Sequence, residues 1–151
     1  GIPQTANVYN YEPHWSGWGN VPFLSRAYHK VLRVLNINYR KPITFYDYDK
    51  TWQKTIQYAN HHSEKNLFHG GFVDYDDSPR RGKMKSIIFK GASPKKFREY
   101  FKKLYDISST QGKEYIFLTA WNEWGEGAYL EPDIENGTAY LDAIRDIVNA
   151  K

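Results

Sequence analysis

Apolar residues along this chain follow two rhythms. From Phe23 to Asn36 they recur at Phe23, Leu24, Ala27, Tyr28, Val31, Leu32 and Leu35, the spacing of one helical face. "KTWQKTIQYANHH", from Lys50, reads as a second helix, and Asp47 or Asp49 can cap it by accepting hydrogen bonds from its free N–H groups. Ser93 and Pro94 mark a third helix start, an N-cap followed by the first helical position. Beyond them Phe97, Tyr100, Phe101, Leu104, Ile107 and Ser108 share a face, and lysines cover the other. "GTAYLDAIRDIVNA" predicts a last helix that buries Tyr140, Leu141, Ile144, Ile147 and Val148.

Between these helices lie shorter extended pieces: "TANVYNY", "GGFVDYD", the brief "SIIFK", and "EYIFLTAW". The last is a nearly continuous apolar run, typical of a parallel strand buried on both faces. "PHWSGWGNVP" and "DSPRRGK" read as loops, and "NYRKPITFYDYD" as irregular. Strands alternating with helices predict an α/β protein with parallel strands. Chemistry in such folds gathers at the carboxyl ends of the strands. Three clusters stand at those ends here: Tyr11–Glu12, then Asp74–Asp77 with Arg80 and Arg81, then Asn122–Glu126. Parallel strands would bring all three to one rim.

Composition narrows the class. A length of 151 residues suits one domain over 1–151, and 40% hydrophobic with 25% charged residues reads as globular. A formal charge of +4 implies no nucleic-acid partner by itself. The absence of cysteine excludes disulfides and thiolate metal sites. No apolar run approaches the ~20 residues of a membrane span. No leader is visible at the start, which favours a cytoplasmic location. Aromatics reach 17%, enough for exposed rings that stack on sugars as well as for the core.

Charge is segregated. Arg80 to Lys103 holds ten basic residues and one acid, and Glu114 to Asp146 holds eight acids and one base. Most of the lysines read as a solvated helix face. Arg80 and Arg81 sit in a strand-end loop. There they either bind a carboxylate, phosphate or sugar hydroxyl, or pair with Asp74, Asp76 or Asp77 and fasten the loop.

"WNEWGEG", Trp121 to Gly127, holds the densest chemistry. Two carboxylates at one rim are the minimum equipment for glycoside chemistry, one donating a proton to the leaving oxygen and the other assisting at the ring. Trp121 and Trp124 can supply a sugar platform and the hydrophobic surroundings that keep a carboxyl protonated. An ordinary solvated acidic loop is the competing reading. The strand-end position, Asn122 and the tryptophans weigh against it. His14, His29, His61, His62 and His69 show no metal-ligand spacing, so neither a metal nor a cofactor is expected.

These residues also carry a resemblance. "WNEWGEGAYLEPD" followed by "GTAYLDAI" closely resembles the C-terminal signature of the WbsX-like proteins. That family is often described as glycosyltransferases of lipopolysaccharide O-antigen synthesis and as glycoside hydrolase family 99-like. "YEP", "FYDYDKTWQK", "GGFVDYDDSPRRGK" and "IFKGASPKKFREYFKKL" look like successive family blocks in the expected order. The resemblance implies the C-terminal portion of a (β/α)8 TIM barrel, since a whole barrel needs roughly 200 residues or more. Partial barrels expose strand edges, which implies self-association or pairing with the missing N-terminal half. By likeness to family 99, Glu123 would take the proton of the sugar 2-hydroxyl as it closes onto the anomeric carbon. Glu126 would be the general acid and then the base that activates water. Tyr11, Glu12, Asp76, Asp77, Arg80, Arg81, Trp121, Asn122, Trp124 and Glu131 would bind the sugar.

Three functions follow as alternatives: a retaining glycosidase acting on bacterial surface or related polysaccharides, a glycosyltransferase of lipopolysaccharide assembly, and a non-catalytic glycan-binding fragment. No Gly-rich phosphate loop supports a nucleotide-sugar site, although "DYDD" offers a metal-binding pair of aspartates to argue from.

Overall fold

The computed structural model describes residues 6–19, 23–35, 43–82 and 86–150. Strands β1 (Val8–Tyr9), β3 (Leu67–Phe72) and β5 (Ile116–Thr119) form one parallel sheet in the order β1-β3-β5. A second parallel pair joins β2 (Thr44–Asp47) to β4 (Ile87–Lys90), in register from Thr44–Ile87 to Asp47–Lys90. The helices are α1 (Phe23–Val34), α2 (Tyr48–His61), a short α3 (Ser78–Arg81), α4 (Pro94–Thr110) and α5 (Ala139–Asn149). A small antiparallel hairpin, β6 (Asn122–Glu123) with β7 (Ala128–Tyr129), follows β5. Parallel strands therefore alternate with helices as expected, and the described strands do not close into a barrel.

Both crossovers of the main sheet share one plan. Each leaves its strand, forms a short strand of the second pair, and returns through a capped helix. Asp47 caps α2 by accepting from Lys50 N at 2.8 Å, and Ser93 caps α4 by accepting from Lys96 N at 3.3 Å. "TFYD" is thus a strand and not irregular chain. Its alternation places Tyr46 opposite Phe89, ring on ring at 5.3 Å, while Lys90 covers Phe45 on the other face.

The core lies between the sheets and helices α2, α4 and α5. Tyr48, Trp52, Phe72, Phe97 and Leu104 are fully buried in it. Trp52 stacks on Phe72 at 5.1 Å and on Tyr100 at 5.7 Å, and Phe97 meets Tyr140 edge-on at 5.4 Å. Gly71 is a glycine for a packing reason, because a Cβ there would stand 2.9 Å from the Trp52 ring and 3.0 Å from Leu118. His69 is also core: Nε2 contacts Gln111 Oε1 at 2.8 Å, Gln111 holds the Ala59 carbonyl at 2.9 Å, and burial lowers the imidazole pKa.

Some expectations need correcting. "HWSGWG", His14–Gly19, is a π-helical turn and not a loop, and α-type bonds from Trp15 N to the Tyr11 carbonyl and from Gly17 N to the Pro13 carbonyl lead into it. The strand in "GGFVDYD" ends at Phe72, because Tyr75–Asp77 turns to run along β4 instead. Val148 is exposed, since α5 turns Tyr140, Ala143 and Ile147 inward. On α1 the apolar Tyr28, Val31 and Leu35 are exposed, so that face is not buried among the described residues. The expected roles of Phe23, Leu24 and His29 concern side chains outside the described residues, and residues 36–42 and 83–85 also lie outside them.

The face of the main sheet that turns away from α2 and α4 is aromatic. Tyr9 on β1 and Phe117 on β5 stack at 4.6 Å although β3 runs between them. Gly70, the partner of Phe117 on β3, has no room for a side chain, since a Cβ there would run into the Asn10 carbonyl oxygen. Phe68 and Tyr115 extend the same surface, and Tyr9, Tyr115 and Phe117 remain exposed.

Candidate functional site

The carboxyl ends of β1, β3 and β5 converge. Past β3, the Tyr75–Asp77 segment runs antiparallel to β4: Phe89 N donates to Tyr75 O at 2.8 Å and Asp77 N to Ile87 O at 3.2 Å. Tyr75 is thereby buried against Trp18, with ring centroids 4.8 Å apart, and its hydroxyl reaches Glu126. Burial, then the negative charges of Glu126 and Asp77, hold the Tyr75 phenol well above the ordinary tyrosine range.

Past β5, the chain forms the β6–β7 hairpin with Trp124–Glu126 as a tight 3₁₀ turn at its tip. Gly127 closes that turn in the left-handed region, at φ 57°, and lies against the Asp76 backbone. A Cβ at Gly127 would stand 3.2 Å from Asp76 N, while one at Gly125 would meet open space, so only the second glycine of the motif is demanded by the packing. Asp76 N donates to the Glu126 carbonyl at 2.7 Å and locks the two strand ends together.

The two arginines divide the roles that the sequence left open. Arg80, from α3, pairs with the Glu126 carboxylate. Arg81 turns the other way, its Nε 2.7 Å from Asp77 Oδ2. Asp77 is fully buried and also accepts from Ile87 N at 2.7 Å, so Arg81 fastens the loop. Asp76 Oδ1 accepts from Ser78 N at 2.8 Å and caps the start of α3. Asp74 is largely shielded, and burial raises its carboxyl to about 6. The aspartates of "DYDD" thus point to separate partners, and among the described residues no cluster of three carboxylate or imidazole groups could hold a metal ion.

Tyr11 stands exposed at the end of β1, and its phenol pKa is raised by burial of part of the ring and then by the charges of Glu126 and Glu123, with Arg80 opposing. Residues from three strand ends therefore share one electrostatic neighbourhood. Glu12, the next residue, does not face it. Its carboxylate is buried at 1% exposure, accepting from Ser16 N at 3.0 Å and Ser16 Oγ at 2.7 Å, with Thr55 behind. Burial pushes it up to about 7, against the pull of those hydrogen bonds.

The tryptophans do not enclose the glutamates. Trp121, Asn122, Glu123 and Trp124 are exposed, and the neighbours of Glu126 are a guanidinium and a phenol. The expected hydrophobic pocket is replaced by a polar one, because the hairpin carries both indoles to its outer surface. Trp124 stacks on Tyr129 at 3.9 Å, and its Nε1 donates to Glu131 Oε2 at 2.6 Å. The Trp121 carbonyl accepts from Leu130 N and Glu131 N at 3.0 and 3.1 Å. Tyr75 was not singled out from the sequence. Its signal was the aromatic residue set among three aspartates at a strand end.

A family model described as Glycosyltransferase WbsX matches residues 7–144, nearly the whole chain and all three strand ends. The chain belongs to the WbsX glycosyltransferase family. Two curated relatives, both described as Uncharacterized protein WxcX, come from Xanthomonas campestris pv. campestris, strains B100 and ATCC 33913. Each is 38% identical over 82 residues, 52% of this chain and 12% of the relative. The aligned part is thus a small fraction of those longer proteins. No solved structure matches this WbsX-family chain.

Proposed function

We propose that this chain carries the glutamate pair of a carbohydrate-active site that acts on glycosidic bonds of bacterial surface or related polysaccharides. The observation that carries this reading is the pairing of Arg80 and of the Tyr75 hydroxyl with Glu126, with Tyr11 within reach of its charge and Glu123 one turn away on the same hairpin. A guanidinium and a phenol held on a shielded strand-end carboxylate are the kind of perturbed environment that gathers at functional sites. In this reading Glu126 exchanges a proton with the leaving oxygen and then with water. Arg80 holds the carboxylate in the resting state; when a substrate oxygen takes the guanidinium, the freed carboxylate takes up a proton from solvent, and that proton is the one it gives to the leaving oxygen. Glu123, free at the surface, acts on the sugar ring. The strands belong, on this proposal, to the C-terminal part of a (β/α)8 barrel in one domain over 1–151.

The test is kinetic, in the full-length protein. General acid–base participation contributes ~10²–10⁴-fold. Glu126→Gln should cost most on glycosides with poor leaving groups and far less on activated aryl glycosides, whereas Glu123→Gln should slow both. Full turnover by both folded variants would show the carboxylates to be structural.

The second reading, sugar transfer, is favoured by the family description and by Arg80, whose fork-shaped donor set also suits a phosphate. Turnover of nucleotide sugars with Glu126-dependent release of the nucleotide would select it. Glycan binding without turnover of either substrate class would leave the third, a non-catalytic module.

A further inference from the structure

The hairpin that carries the glutamate pair also borders a groove of about 450 Å³ lined by Trp124, Tyr129, Pro132, Asp133, Ile134 and Glu135, within the size range of ligand clefts. Its features are those of a prepared surface. Trp124 is fixed at two points, the Tyr129 stack on one face and the Glu131 carboxylate at its indole nitrogen, and half of it remains open. Asp133 in turn is fixed by Asn136, through its backbone N–H and side-chain amide. Ile134 at the loop tip is completely exposed, an unusual place for a large aliphatic side chain with no covering element among the described residues.

Charge defines the occupant further. No lining residue is basic, and Asp133 and Glu135 stand on the rim. Arg145, the one base between Glu114 and Asp146, is already paired with Asp142 and Asp146 at 2.6 and 3.0 Å. Acceptor-only rims suit the hydroxyl donors of an uncharged sugar and repel a carboxylate or phosphate. Trp124 belongs to the same hairpin and 3₁₀ turn as Glu123 and Glu126, so one short element carries both the glutamate pair and a wall of the groove.

We infer that this groove is a second carbohydrate subsite, which seats an uncharged pyranose ring of the same glycan against Trp124 and Ile134 and excludes uronic acid and phosphorylated sugars. The inference rests on the proposed carbohydrate function, but its readout is binding and not turnover.

The experiment follows the Trp124 indole N–H by NMR in the full chain during titration with neutral mono- and trisaccharides of the gluco- and manno-series and with a trigalacturonate. Neutral trisaccharide should shift the Trp124 signal at concentrations where its monosaccharide does not, and trigalacturonate should leave it in place. Tyr129→Ala and Ile134→Ser should each weaken the trisaccharide response by about fivefold to tenfold. Ile134 is wholly exposed, so its variant keeps the fold even if Tyr129→Ala does not. Silence of Trp124 towards every neutral trisaccharide, an equal response to trigalacturonate, or full binding by Ile134→Ser would overturn the assignment.

Discussion

Arg80 crosses from the end of β3 to the Glu126 carboxylate at the end of β5, while its neighbour Arg81 pairs with the buried Asp77. Consecutive residues on a helical turn point about 100° apart, so one arginine faces the candidate site and the other the scaffold. The two should therefore fail differently. Arg80→Ala should lower glycosidic turnover by about 10²-fold, with less than about 1 kcal/mol lost in stability, since the guanidinium is half exposed. Arg81→Ala leaves a buried carboxylate without its cation and should cost roughly 1–3 kcal/mol with little direct effect on turnover. Paired denaturation curves and rate measurements decide this; equal behaviour of the two variants would contradict the division.

Tyr75→Phe removes one hydroxyl and keeps the ring against Trp18. The expected result is a loss of about tenfold in kcat with Tm changed by only a few degrees. A drop in Tm without a drop in kcat would make Tyr75 a core residue only.

Glu12 gives a pH signature. Its native carboxyl sits at about 7, above the ordinary glutamate range, chiefly through burial. The folded state thus holds the proton more tightly than the unfolded chain. Its contribution is most favourable below the unfolded pKa and declines as pH rises to about 7, a loss of roughly 3 kcal/mol at most. Glu12→Gln imitates the protonated form. It should match the parent near pH ~4 and exceed it in urea stability by up to ~3 kcal/mol near pH ~8. A variant less stable than the parent at the higher pH would show that the ionised form is the one the fold favours.

The aromatic sheet face predicts association. Tyr9, Phe117 and Tyr115 leave apolar rings in water, and the outer edge of β5 has no strand partner among the described residues. The 151-residue chain should sediment as oligomers at high concentration, and Phe117→Lys should shift it towards monomer. A parent chain that stays monomeric would remove the need for a covering partner.

Much of the fold was legible in the sequence because its signals are local. Ser93–Pro94 gives the start of α4 directly, and the apolar run at Ile116–Thr119 gives β5. The parallel pairing of β3 with β5 follows from the helix between them. β2 was illegible because its four residues gain strand character only from β4, forty residues on. The π-helical turn was hidden by its two glycines, which read as loop. In the candidate site the carboxylates announced themselves, but their surroundings did not. Which of two adjacent arginines meets Glu126, and that Glu12 faces inward while Tyr11 faces out, depends on side-chain direction that spacing alone leaves open.

The pairing of β2 with β4 has a mechanical consequence. Because β4 holds β2 on one edge and the Tyr75–Asp77 segment on the other, the wall that carries Tyr75 is tiled into a sheet. The opposite bank is built differently: the hairpin and the Asp133–Gly137 turn stand on local hydrogen bonds and are tied to that wall through the Asp76 N–Glu126 carbonyl bond.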